Sequence, residues 1–86
     1  MTDQALLDVV RQAVATVLDV PLQGLNAGTR LVEDLEADSL AVIEIVEVSE
    51  EQLRAAGWPV RVDDGALSRL ADLGDLVTAL RADVRV

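Results

Sequence analysis

The chain has 86 residues, 51% of them apolar, and sets 16 acidic side chains against seven basic ones, all arginine, for a net charge of −9. Such acidity argues against nucleic acid and anionic membranes as partners, and it favours basic protein surfaces. Cys, His and Lys are absent, which removes disulfides, thiolate nucleophiles, Cys- or His-based metal sites, the commonest general base and Schiff-base chemistry.

This length predicts one small domain over residues 1–86. Trp58 is the sole aromatic residue, so the core must be built from Leu, Val, Ile and Ala, side chains suited to closely packed helices. The start, Met1-Thr2-Asp3-Gln4, has neither the basic nor the apolar region of a secretion signal. No apolar run approaches the ~20 residues of a membrane span. A monomeric cytoplasmic protein is expected.

In chain order, residues 3–18 are predicted as the first helix, capped by Thr2 or Asp3. Leu6, Val10, Ala13, Val14, Val17 and Leu18 gather on one face, and Asp19-Val20-Pro21 ends the helix. Residues 19–37 form a long connection with turn chemistry at Gly24, Asn26, Gly28 and Thr29. Its apolar beads Leu22, Leu25, Leu31, Val32 and Leu35 are expected to pin it across the helices. A connection of this length inside a compact domain tends to be functional.

Asp38-Ser39-Leu40 reads as the mouth of a second helix, about 39–55. At 100° per residue, Val42, Ile45, Val46, Ser49 and Leu53 form a core face. Ser49 is expected to bond back to the carbonyl of Ile45. Leu40, Ile43, Glu44, Glu47 and Glu51 fall on roughly the opposite side. Apolar groups set among like charges suggest a docking surface for a basic partner.

Gly57 is the expected stop of that helix, and Val60 and Val62 are expected to anchor an extended linker. A short third helix is predicted from Asp64 to Leu70, with Asp63 as cap and Gly65 as a weak point. The fourth runs from about Leu73 to Asp83, with Leu73, Leu76, Val77 and Leu80 buried. Asp72 and Asp75 form a capping box that uses Asp in place of Glu. The fold class is therefore all-α: three main helices plus one short one, with a long loop between the first two.

The acids Glu33, Asp34, Glu36 and Asp38 do not follow the calcium-loop pattern, and no metal site is expected. Ser39 has no base to activate it as a catalytic nucleophile. The chain is not expected to be an enzyme. A hydroxyl at a helix N-terminus is nevertheless well placed to hold a phosphate ester, because the dipole and the free N–H groups favour negative charge there.

The stretch Glu33-Asp34-Leu35-Glu36-Ala37-Asp38-Ser39-Leu40, leading into an acidic helix, resembles the acyl carrier protein family, whose pattern is Asp-Leu-Gly-x-Asp-Ser-Leu. Glu44, the Glu50-Glu51 pair and the turn Leu73-Gly74-Asp75 extend the similarity. Glu36 departs from it, standing where the family usually has Gly, and would be strained if that position takes a positive φ.

The resemblance implies covalent 4′-phosphopantetheine on Ser39, attached by a phosphopantetheinyl transferase, with Asp38 helping to organise the transferase site. The arm would carry acyl groups as thioesters in fatty-acid-like or polyketide-type biosynthesis. It also implies that acyl-loading and acyl-processing enzymes bring basic patches to Leu40, Ile43, Glu44, Glu47 and Glu51. Two alternatives stand beside it: a peptidyl carrier of a nonribosomal pathway, and a helical interaction module that never receives the arm.

Overall fold

The computed structural model describes residues 2–83, which form four helices: α1 (Asp3–Leu18), α2 (Ser39–Ala55), α3 (Asp64–Leu67) and α4 (Leu73–Asp83). The helix α1 packs against both α2 and α4. The predicted all-α architecture is therefore the observed one.

Each main helix starts where its cap stands. The Thr2 hydroxyl accepts from the Ala5 amide at 3.1 Å. At the head of α4, Asp72 Oδ1 accepts from the Asp75 amide at 2.8 Å and Asp75 Oδ2 accepts from the Asp72 amide at 3.1 Å. That reciprocal pair is the capping box read from the sequence, satisfying donors that the first helical turn leaves unpaired.

The helix ends differ in kind. Asp19 adopts a left-handed conformation (φ 54°) and its amide bonds to the Ala15 carbonyl. The stop of α1 thus lies at Asp19 itself, before Pro21 acts. At the end of α2, Gly57 has φ 91° and donates to the Arg54 carbonyl, while Trp58 donates to that of Leu53 at 2.8 Å. This is the Schellman arrangement, which requires a left-handed residue just past the helix.

Leu6, Val10, Ala13 and Val14 of α1, Ile45, Val46 and Leu53 of α2, and Leu73, Leu76, Val77 and Leu80 of α4 form one buried cluster. Val17, Leu18 and Val42, predicted on the core faces, lie at its half-buried margin. Burying one such aliphatic side chain stabilises the fold by about 1.5–3 kcal/mol. Ser49 is the buried polar residue among them, and its hydroxyl donates to the Ile45 carbonyl at 2.8 Å, as expected.

The long loop is held by backbone pairing as well as by side chains. Leu31 donates to Ala71, Leu73 to Thr29 and Gly74 to Ala27, all within 2.9–3.0 Å. A Cβ at Gly74 would sit 3.2 Å from the Ala27 carbonyl oxygen, so this approach suits glycine. Of the apolar beads, Leu25 and Leu31 are buried and Leu35 is half-buried, but the side chains of Leu22 and Val32 are exposed. Val32 directly follows Leu31 in a tight turn, and only one of the two neighbours can face the core.

The third helix is shorter than predicted. It ends at Leu67 rather than Leu70, buries no residue, and receives no side-chain bond from Asp63. Beyond it the chain continues through four-residue turns, with Arg69 donating to Ala66 and Leu70 to Leu67. The linker ahead of it is anchored as expected, with Val60 and Val62 buried. Side chains of neighbouring helices fix its backbone: Glu50 accepts from the Val62 amide and Asp83 from the Arg61 amide, each at 2.6 Å.

Candidate functional site

Residues 30–38 build the mouth of α2. Asp34 accepts from the Arg30 amide at 2.8 Å, and the Arg30 guanidinium donates to Glu33. That hydrogen bond, together with the Glu33 charge, raises the Arg30 pKa above its ordinary value. Glu36 takes a left-handed conformation (φ 55°), the strain anticipated for a non-glycine residue there. The turn lets the Ala37 amide donate to the Leu31 carbonyl at 2.9 Å and buries Ala37. Asp38 follows in extended geometry, and its Oδ1 accepts from the Ala41 amide at 2.8 Å.

This sequence of contacts frees Ser39. Asp38 supplies the cap, so the Ser39 hydroxyl is not needed for it. Ser39 is exposed, and its hydroxyl has no hydrogen-bond partner among the described residues. The chain's other two serines, Ser49 and Ser68, donate their hydroxyls to the carbonyls of Ile45 and Gly65. Asp38→Ala is expected to lower stability by about 1 kcal/mol through loss of the cap, measured as a reduced urea midpoint with unchanged slope.

The predicted docking residues share one exposed face. Leu40 is 63% exposed and Ile43 39%, and Glu44, Glu47 and Glu51 are all exposed. None of these three glutamates is bonded to another side chain among the described residues. Glu50, their neighbour in sequence, is different: its carboxylate is engaged by the linker.

Beside Ser39 lies an open groove of about 320 Å³, whose lining includes Val32, Val42, Ile43, Leu67, Ser68 and Leu70. Sequence reading did not assemble it, because its walls come from the loop, α2, and the end of α3 with the segment that follows it. A larger concavity of about 520 Å³, between Glu50, Arg54, Pro59, Val60, Arg61 and Asp83, shares none of that lining. It is flanked mainly by charge, and its two carboxylates serve the linker backbone. The groove at Ser39 is the more apolar surface.

These features fit an attached phosphopantetheine. The exposed hydroxyl offers a point of attachment, the positive end of α2 suits a phosphodiester, and the groove offers apolar contact to a thin chain. Asp38 Oδ2 has no partner among the described residues. No described helix is long and apolar enough to cross a membrane.

Residues 8–80 match the model of the family described as "Phosphopantetheine attachment site". Acyl carrier protein 3 of Ralstonia nicotianae is 33% identical over 82 residues, covering 95% of this chain and 88% of that protein. The acyl carrier protein of Wolinella succinogenes is 32% identical over 73 residues, 85% of this chain and 90% of its own. That of Shigella flexneri is 29% identical over 68 residues, 79% and 81% respectively.

Proposed function

The chain belongs to the phosphopantetheine-binding carrier proteins, and on that footing we propose that Ser39 is its attachment point and that it shuttles acyl groups in fatty-acid-like or polyketide-type biosynthesis. Members of this family are carriers and not catalysts, and their cofactor is covalent 4′-phosphopantetheine. The group supplies a thiol that holds cargo as a thioester. That thiol answers the absence of cysteine from the chain.

The observation that carries the reading is the unengaged, exposed hydroxyl of Ser39 at the first position of α2. On modification its oxygen forms a new P–O bond to the phosphopantetheine phosphate, the pyrophosphate P–O bond of coenzyme A breaks, the adenosine bisphosphate half departs as the leaving group, and the serine proton must be removed. The chain has no histidine, and one oxygen of Asp38 is committed to the cap. Asp38 helps organise the transferase site through its remaining oxygen.

Because the unmodified chain has no cysteine, a maleimide dye reports loading directly. Incubation with a phosphopantetheinyl transferase and coenzyme A should make the protein reactive at one thiol. Protein that stays unreactive, under conditions that load a known carrier, would overturn the reading.

Leu40, Ile43, Glu44, Glu47 and Glu51 make up the surface we assign to acyl-loading and acyl-processing enzymes with basic patches. The two apolar groups give contact area and the three carboxylates steer encounter. Glu44→Arg combined with Glu47→Arg is expected to slow loading about tenfold at 0.1 M salt. The difference should shrink at 1 M, where the Debye length falls to ~3 Å. Stopped-flow or quenched loading rates at the two salt concentrations check this, and equal rates for the two proteins at low salt would remove the electrostatic assignment.

A further inference from the structure

Four acids precede Ser39 within the turn, and three of them are occupied. Glu33 receives the Arg30 guanidinium, Asp34 accepts the Arg30 amide, and Asp38 caps α2. Glu36 alone has no side-chain partner among the described residues. It is exposed, and it is the one that sits in the left-handed region, at φ 55°.

Left-handed geometry strains a residue with a Cβ, a cost that glycine escapes and that Asn and Asp offset with a short polar side chain. The other left-handed residue without glycine's freedom is an aspartate, Asp19. Glutamate has neither advantage. The path of the chain needs a left-handed residue at position 36, because that turn buries Ala37 and sets Asp38 over α2. It does not need a carboxylate there, since no group among the described residues uses one. Strain retained beside a functional atom, with no internal compensation, points outward.

We propose that Glu36 is a specificity-determining residue for loading: its carboxylate pairs with a basic side chain of the phosphopantetheinyl transferase seated over the mouth of α2. The proposal rests on the assignment of Ser39 as the attachment point. Glu36 is exposed and lies three residues before Ser39, on the loop that leads into the acidic helix α2. An enzyme reaching the Ser39 hydroxyl meets this charge as well as those of Glu44 and Glu47. The acids already paired inside the turn have less to offer it, because their charge is partly satisfied.

The test uses a transferase that loads the wild-type chain, with coenzyme A and the thiol readout, on Glu36→Gln and Glu36→Gly. Both variants lack the charge, but only the glycine variant also relieves the backbone. At 0.05 M salt both are expected to show a kcat/KM about fivefold below wild type, carried mainly by KM, with the gap closing toward 1 M. Glu36→Gly should melt about 5 °C above wild type, while Glu36→Gln should melt close to it. A protein that is more stable and yet loaded more slowly is a result that a merely structural role does not produce. Wild-type kcat/KM in Glu36→Gln at low salt would overturn the inference while leaving Ser39 intact. Failure of the wild-type chain to load with any transferase would overturn the attachment reading and this inference together.

Discussion

Ser39→Ala is expected to abolish phosphopantetheine attachment completely while leaving the fold in place. The hydroxyl bonds to nothing among the described residues, and the Asp38 cap does not pass through it. Removing it should therefore change stability by no more than about 0.5 kcal/mol, the usual range for an exposed substitution away from structural features. Far-ultraviolet circular dichroism and the urea midpoint should match wild type. Thiol labelling after incubation with transferase and coenzyme A should fall to the level of a reaction without transferase. Ser68→Ala is the matched control. Its hydroxyl is donated to the Gly65 carbonyl, and it lines the same groove, so loading should persist. Residual labelling of Ser39→Ala would mean that another hydroxyl accepts the arm.

The second large effect lies in the loop. Leu31→Ala is expected to cost about 3 kcal/mol, within the range for truncating a buried leucine. Leu31 is fully buried in the core cluster, and its amide and carbonyl bond to Ala71 and Ala37. A domain of this size has little stability to spare, so the urea midpoint should fall steeply. Val32→Ala, one position on, removes a side chain that is 61% exposed and should leave the midpoint almost unchanged. The pair separates an anchor from its exposed neighbour. Equal effects of the two substitutions would mean that the loop is not held through Leu31.

The same two residues show where the sequence stops being sufficient. Apolar periodicity and short-range caps revealed α1, α2 and α4, because both signals lie within a few residues of the element they define. The capping box of Asp72 and Asp75 and the bond from Ser49 to Ile45 were legible for that reason. Leu31 and Val32 are both apolar, and only the path of the turn decides which faces inward. The third helix is expected to reach Leu70. The chain instead leaves α3 after Leu67 and continues in tighter turns.

The site divides in the same way. Ser39, its cap Asp38 and the exposed face of α2 follow from local pattern and family resemblance. The groove of Val32, Val42, Leu67 and Leu70 depends on three segments meeting in space. The engagement of Glu50 with the linker spans 12 positions in the chain, beyond the reach of helical periodicity. The isolation of Glu36 emerges only after the partners of Glu33, Asp34 and Asp38 are known.

The most direct test of the account is the mass of the protein purified from the cells that naturally make it, followed by fragmentation of the peptide that contains residues 31–54. The account predicts a population bearing one phosphopantetheine, with the added mass on Ser39 and, in part of the sample, an acyl group on its thiol. A chain recovered wholly unmodified, or modified at any residue other than Ser39, would contradict it.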